Sequence, residues 1–181
     1  MEYRRAKIEG GTFFFTVVTQ NRRKFLCNEE NIVLLRKIFK RVMQQHHFTI
    51  DAIAILPEHL HCIWTLPRAN DDDFSIRWNL IKGGFSRLCH PKYKGKISAS
   101  RQRKKEQGVW QRRFWEHQIR DETDFIYHVD YIHYNPVRHG YVKAPKDWKY
   151  SSFHRDVKRG IYDIDWGAGV ELEFPDWVGN E

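Results

Sequence analysis

Two runs of strand-forming residues, Phe48 to Leu56 and His59 to Leu66, are separated only by Pro57 and Glu58. So short a connection cannot carry a crossover, so the two strands must pair as an antiparallel hairpin. The rest of the chain has to be arranged around that hairpin. Upstream, Thr12 to Thr19 is aromatic and β-branched and reads as another strand. Between them Asn28 is a candidate N-cap, and Glu29 and Glu30 suit a first turn. Ile32, Leu35, Ile38, Phe39 and Val42 then recur at helical spacing to about His46. Downstream, Asp71, Asp72 and Asp73 open a second helix whose apolar face is Phe74, Trp78, Ile81, Phe85 and Leu88. Trp110 to Ile119 reads as a fourth strand. Asp121 to Asp124 start a further helix striped with Phe125, Val129 and Ile132; Asn135-Pro136 should end it, because a residue before proline avoids helical geometry. This order predicts an α+β fold, a ferredoxin-like split β-α-β sandwich with an antiparallel sheet. Helices should cover one sheet face and leave the other open. An added helix and an acidic C-terminal tail follow, with residues 1–160 as one domain and 161–181 as the tail.

Charge narrows the partners. The 181-residue chain carries a net +8, which favours a polyanion, nucleic acid first. Residues 92–113 hold nine Lys or Arg against Glu106 alone, whereas no Lys or Arg follows Arg159 and six acidic residues do. Cys27, Cys62 and Cys89 are odd in number and form no CxxC pair, which argues against a disulfide framework or a cysteine zinc site. No apolar run is long enough to span a bilayer, and the N-terminus has no signal-peptide core. The expected location is the cytoplasm, with no membrane partner.

Side chains alternate faces along a strand, so His59 and His61 should point together to the open face while Leu60, Cys62, Trp64 and Leu66 pack under the helices. Two such imidazoles can converge on one divalent ion, although a His-x-His pair alone on a strand is more often two surface histidines. In the last helix Tyr131 and Asn135 lie one turn apart on one face. Tyr127 and Tyr134 have Tyr131 and Arg138 at that position, so Tyr131 alone of the three has an amide oxygen beside it. The three tyrosines would also serve simply to pack the helix. Two other readings remain open at this point: a non-catalytic module of RRM-like fold, whose aromatic sheet motif is missing here, and a small metal-dependent hydrolase that would need no tyrosine.

Taken together, Leu56-Pro-Glu-His-Leu-His-Cys-Ile-Trp64 and Tyr131-Ile-His-Tyr-Asn-Pro-Val-Arg-His-Gly140 resemble the single-tyrosine transposases of the HUH superfamily, most of all the REP-associated branch. The resemblance runs over roughly residues 5–153, with support from the segments 13–21 and 110–121. It implies a DNA nuclease and strand-transferase with Tyr131 as nucleophile. It also implies that His59, His61 and Asn135 are ligands of Mg2+ or Mn2+, and that the substrate is single-stranded or hairpin DNA. Asn135 stands where many insertion-sequence relatives have glutamine. Lys104, Lys105, Arg112 and Arg113 are candidates for phosphate contacts, and Trp110, Trp115 and Phe114 for stacking. Relatives place the tyrosine opposite histidines of the same chain or of a partner, so a monomer and a homodimer both stay open.

Overall fold

The computed structural model describes residues 10–68 and 73–179. Four antiparallel strands, β1 (Thr12–Val18), β2 (Thr49–Ile55), β3 (His59–Thr65) and β4 (Trp115–Gln118), form one sheet in the order β2-β3-β1-β4. Among the described residues there are five α-helices: α1 (Glu29–Gln45), α2 (Phe74–Leu88), α3 (Ala99–Arg103), α4 (Glu122–Arg138) and α5 (Phe153–Lys158).

The hairpin connection is held by its backbone. The Glu58 carbonyl accepts from both the amide and the hydroxyl of Thr19, and the Pro57 carbonyl accepts from the amides of Phe25 and Leu26. Alternation along β1 and β3 then sorts side chains into two cores. Phe13, Phe15, Leu60, Cys62 and Trp64 meet α1 and α2, with Trp64 stacked on Trp78 at 4.3 Å between ring centroids. Phe14, Ala52, Ala54 and Ile63 meet α4 and the tail. The second face is therefore covered rather than open, and His59 and His61 lie wholly buried beneath α4. α4 is long enough to lie across the sheet, and its stripe of Val129, Tyr131 and Ile132 needs an apolar floor.

Several boundaries differ from expectation. The fourth strand pairs only from Trp115 to Gln118. Ahead of it Trp110 makes a lone bridge to Thr19, and the carbonyls of Gln111 and Arg112 turn off the ladder to accept from Lys82 Nζ. α4 runs through Pro136 to Arg138. Proline removes a single donor near the helix end, and Tyr134, Asn135 and Pro136 are all buried, so packing overrides the local preference. Asn28 sits at the N-cap of α1, but its Nδ2 donates to Tyr93 Oη instead of its side chain capping the helix. Leu88, expected on the apolar face of α2, is 64% exposed. Asp73 caps α2 through the amides of Ser75 and Ile76, whereas Asp71 and Asp72 lie outside the described residues. Cys27, Cys62 and Cys89 are free thiols. No helix among the described residues is long and apolar enough to cross a membrane.

Candidate active site

β3 and α4 bring four of the expected side chains to one place. His59 and His61 rings lie 4.7 Å apart between centroids, and His59 Nε2 is 3.4 Å from Asn135 Oδ1. The Tyr131 ring sits edge-on to His61 at 5.3 Å. All four residues are fully buried. Tyr131 and the two histidines meet here within one chain.

Outer groups hold both imidazoles. His61 Nδ1 lies 2.9 Å from Thr16 Oγ1 across the β1–β3 ladder. His59 Nδ1 lies 3.3 Å from Glu58 Oε1, and Tyr141 Oη donates to Glu58 Oε2 at 2.8 Å. A carboxylate only accepts, so in the tautomer with its proton on Nδ1 the ring turns that proton to Glu58 and an Nε2 lone pair to Asn135. Burial would raise the Glu58 carboxyl, but hydrogen bonding to His59 and Tyr141 holds it down at about 2. The His59 Nε2 lone pair and the Asn135 amide oxygen then face each other, an arrangement that a cation between them relieves. Two imidazole nitrogens and a neutral amide oxygen, all shielded from water, thus fit a divalent ion.

A second cluster lies further along the same sheet face. His117, Asp124 and His128 offer ligand atoms within 4.8 Å of one another, a group that can hold a metal ion. The cue in the sequence was there: Asp124 and His128 are one helical turn apart, and His117 lies on the strand just before that helix. Here these atoms also tie β4 to α4. Asp124 accepts from the Arg120 amide and Nε, and its Oδ2 is 2.9 Å from His117 Nε2. Burial would raise the Asp124 carboxyl, but hydrogen bonds from Arg120 and His117 hold it at about 2, against an ordinary 3.8. The depressed folded value stabilises the protein above pH 3.8 and is lost as pH falls towards 2. Asp124→Asn should therefore cost about 2 kcal/mol at neutral pH. Thermal melts at pH 7 and pH 2.5 check this: an equal gap between variant and parent at both pH values contradicts it.

The tail crosses the same face. Phe174 packs edge-on to Tyr131 at 5.4 Å, and Trp177 packs against Tyr127 and His128, with Arg120 over its ring. Tyr131 Oη donates to the Gly179 carbonyl at 3.1 Å. A backbone carbonyl, not a carboxylate, thus meets the phenol. Gly179 has φ +70°, and a Cβ there would fall 2.1 Å from Tyr131 Cζ, so only glycine fits. Upstream, Trp166 packs on Phe153 and Tyr162, within the folded body.

The basic loop folds against α2. Lys82, Arg87, Arg101, Lys104, Lys105 and Arg112 line a groove of about 590 Å³. Lys104, Lys105, Arg112 and Arg113 are exposed. Trp110 is not a free stacking surface: it is 6% exposed and packs against Phe85 in the core. Phe114 is likewise packed against Phe15 and Trp78. Trp115 lies on the Tyr131 face, against Phe14 and His117. Only Arg113 and Phe114 therefore separate Arg112 of the basic groove from Trp115 on the face of the buried cluster.

Residues 10–135 match the family described as "Transposase IS200 like". The chain is 49% identical over 169 residues to a REP-associated tyrosine transposase of Escherichia coli (strain K12), spanning 93% of this chain and 92% of that protein. A solved structure of a REP-associated tyrosine transposase bound to a REP hairpin superposes with a TM-score of 0.81 at 46% identity, over 100% of this chain and 98% of that one.

Proposed function

The chain belongs to the IS200-like transposase family, among its REP-associated tyrosine transposases, and on that premise we propose that it cuts and rejoins hairpin-bearing single-stranded DNA through Tyr131. One observation carries the reading: Tyr131, His59, His61 and Asn135, distant in sequence, converge in one buried cluster. Tyr131 Oη attacks the scissile phosphorus, the bond to the 3′-oxygen breaks, and a 5′-phosphotyrosine forms. The leaving oxygen takes a proton and becomes a free 3′-hydroxyl, which can later attack the same phosphorus and reseal the strand. His59, His61 and Asn135 are the residues that would hold Mg2+ or Mn2+. When bound, that ion supplies polarisation of the scissile phosphate. A phenol of ordinary pKa ~10 must lose its proton to react.

The substrate class follows the relative that was solved with a REP hairpin. The exposed cations beside α2 suit its phosphates, and Trp115 suits a base near Tyr131. We further read the strand order as a ferredoxin-like split β-α-β sandwich, with residues 1–160 as the catalytic domain and 161–181 as the acidic C-terminal tail. The bacterial relative supports a place in the bacterial cytoplasm. The deciding experiment incubates the protein with a single-stranded hairpin and Mn2+ and runs a denaturing gel. A DNA-linked protein band is expected; free cleaved DNA without that band points to a water-activating hydrolase, and no cleavage to a binding module.

In this reading the tail is a tethered competitor: DNA cannot reach Tyr131 while Phe174 and Gly179 occupy its surface. A tether supplies an effective concentration of ~mM, so weak docking suffices. Deleting residues 174–181, or making Gly179→Ala, should raise cleavage about tenfold, the effect of removing ~1.4 kcal/mol of docking. The cut is placed after Trp166 so that the packing on Phe153 survives. Unchanged cleavage by a folded truncated protein would make the tail structural only.

A further inference from the structure

We infer that Glu58 is a positioning residue for the metal centre, fixing the His59 ring so that Nε2 faces Asn135, with Tyr141 in turn fixing Glu58. The inference rests on the proposed ligand role of His59.

Three observations separate this from a role in the turn. First, the bonds that tie the turn to β1 run through the Glu58 backbone rather than its side chain. Its carbonyl is what Thr19 holds, with the amide and hydroxyl at 2.9 Å each, and Leu56 donates its amide to the His59 carbonyl. Second, the carboxylate is 6% exposed although it follows Pro57 in a two-residue connection, a place where an acidic side chain would normally sit in water. Burying that charge is costly unless it has dedicated partners. Third, its two oxygens are divided between two such partners: Oε1 lies 3.3 Å from His59 Nδ1 and Oε2 accepts from Tyr141 Oη at 2.8 Å. Tyr141 is itself braced by Trp148 at 5.6 Å, and Trp148 Nε1 donates to the Ile55 carbonyl. The chain from Ile55 through Trp148, Tyr141 and Glu58 to His59 therefore starts and ends on the hairpin that carries the site.

The physical consequence is twofold. An imidazole whose Nδ1–H points at a carboxylate is held in one tautomer and one ring orientation, and its Nε2 becomes a stronger electron-pair donor. His61 Nδ1 lies against the neutral hydroxyl of Thr16, whereas His59 Nδ1 faces a carboxylate. Losing such a partner typically weakens metal affinity 10–100-fold.

The test is Mn2+ affinity of the full chain without DNA, by calorimetry or by the EPR signal of free Mn2+. Glu58→Ala should raise the Kd for Mn2+ about 10–100-fold, and Glu58→Gln, which keeps an acceptor but no charge, by less. Tyr141→Phe removes only the hydrogen bond to Glu58 Oε2, leaves the carboxylate and the ligands in place, and should raise the Kd several-fold. His59→Ala is the reference. If His59→Ala loses Mn2+ binding while the Glu58 variants and Tyr141→Phe bind within twofold of the parent, Glu58 serves only the fold. If His59→Ala itself binds normally, the ligand assignment is wrong. Should Glu58→Ala fail to fold, Glu58→Gln and Tyr141→Phe decide the matter by the same measurement.

Discussion

Tyr131→Phe should abolish both strand cleavage and the covalent adduct while DNA binding stays within about twofold of the parent. The substitution removes one oxygen from a fully buried ring. The contacts of that ring with Phe14, His61 and Phe174 remain, so folding is preserved and only the nucleophile is lost. Removing a nucleophile costs on the order of 10³-fold or more in rate. Because the tail lies on Tyr131 in the intact chain, the comparison is cleanest with residues 174–181 deleted, where the parental rate is expected to be higher. Two control variants make the assignment exclusive. Tyr134 Oη donates to the Val170 carbonyl at 2.7 Å, and Tyr127 is 37% exposed against Trp177, so neither hydroxyl faces His59 or His61. Tyr134→Phe and Tyr127→Phe should leave the adduct intact. An adduct that survives Tyr131→Phe and disappears with either control moves the nucleophile.

His59→Ala and His61→Ala should each lower cleavage at least 100-fold, and EDTA should do the same to the parent, the scale expected when a charge-stabilising element is withdrawn from a phosphoryl-transfer site. Asn135→Ala should cost less, since an amide oxygen is the weakest of the three donors and both imidazoles remain. His61 stacks on Phe14 and meets Tyr131 edge-on, so its removal also opens a cavity. Circular dichroism at the assay temperature separates lost chemistry from lost fold, and His61→Asn offers a better-filled variant. Full cleavage in EDTA would rule out the metal role of all three residues. Cleavage that depends on metal yet tolerates both histidine variants would shift attention to His117, Asp124 and His128.

Much of the architecture is local chemistry, and so it was legible early. The Pro57-Glu58 connection forces β2 and β3 to pair antiparallel, and the alternation of Leu60, Cys62 and Trp64 with His59 and His61 assigns the two faces of β3. The helical spacing of Ile32, Leu35, Ile38, Phe39 and Val42 delivers α1 to within a residue. Tyr131 and Asn135 share a face because they are four residues apart on a helix.

Where two elements compete for the same surface, the chain had to be seen folded. Pro136 is a helix stop in isolation, yet α4 continues to Arg138 because burial of Tyr134 and Asn135 outweighs one missing donor. Trp110 looks like a stacking platform beside nine cations, but it fills the gap next to Phe85. The sheet face bearing His59 and His61 was expected to be open, and nothing in the periodicity of α4 says that it closes over them. Nor does the acidic composition of the tail say that Gly179 comes to rest on Tyr131. Sequence spacing determined which side chains share a face, because the repeats of strand and helix are built into the backbone. Tertiary structure decided which faces meet, because a contact between Tyr131 and Gly179, 48 residues apart, depends on shape complementarity that no local pattern encodes.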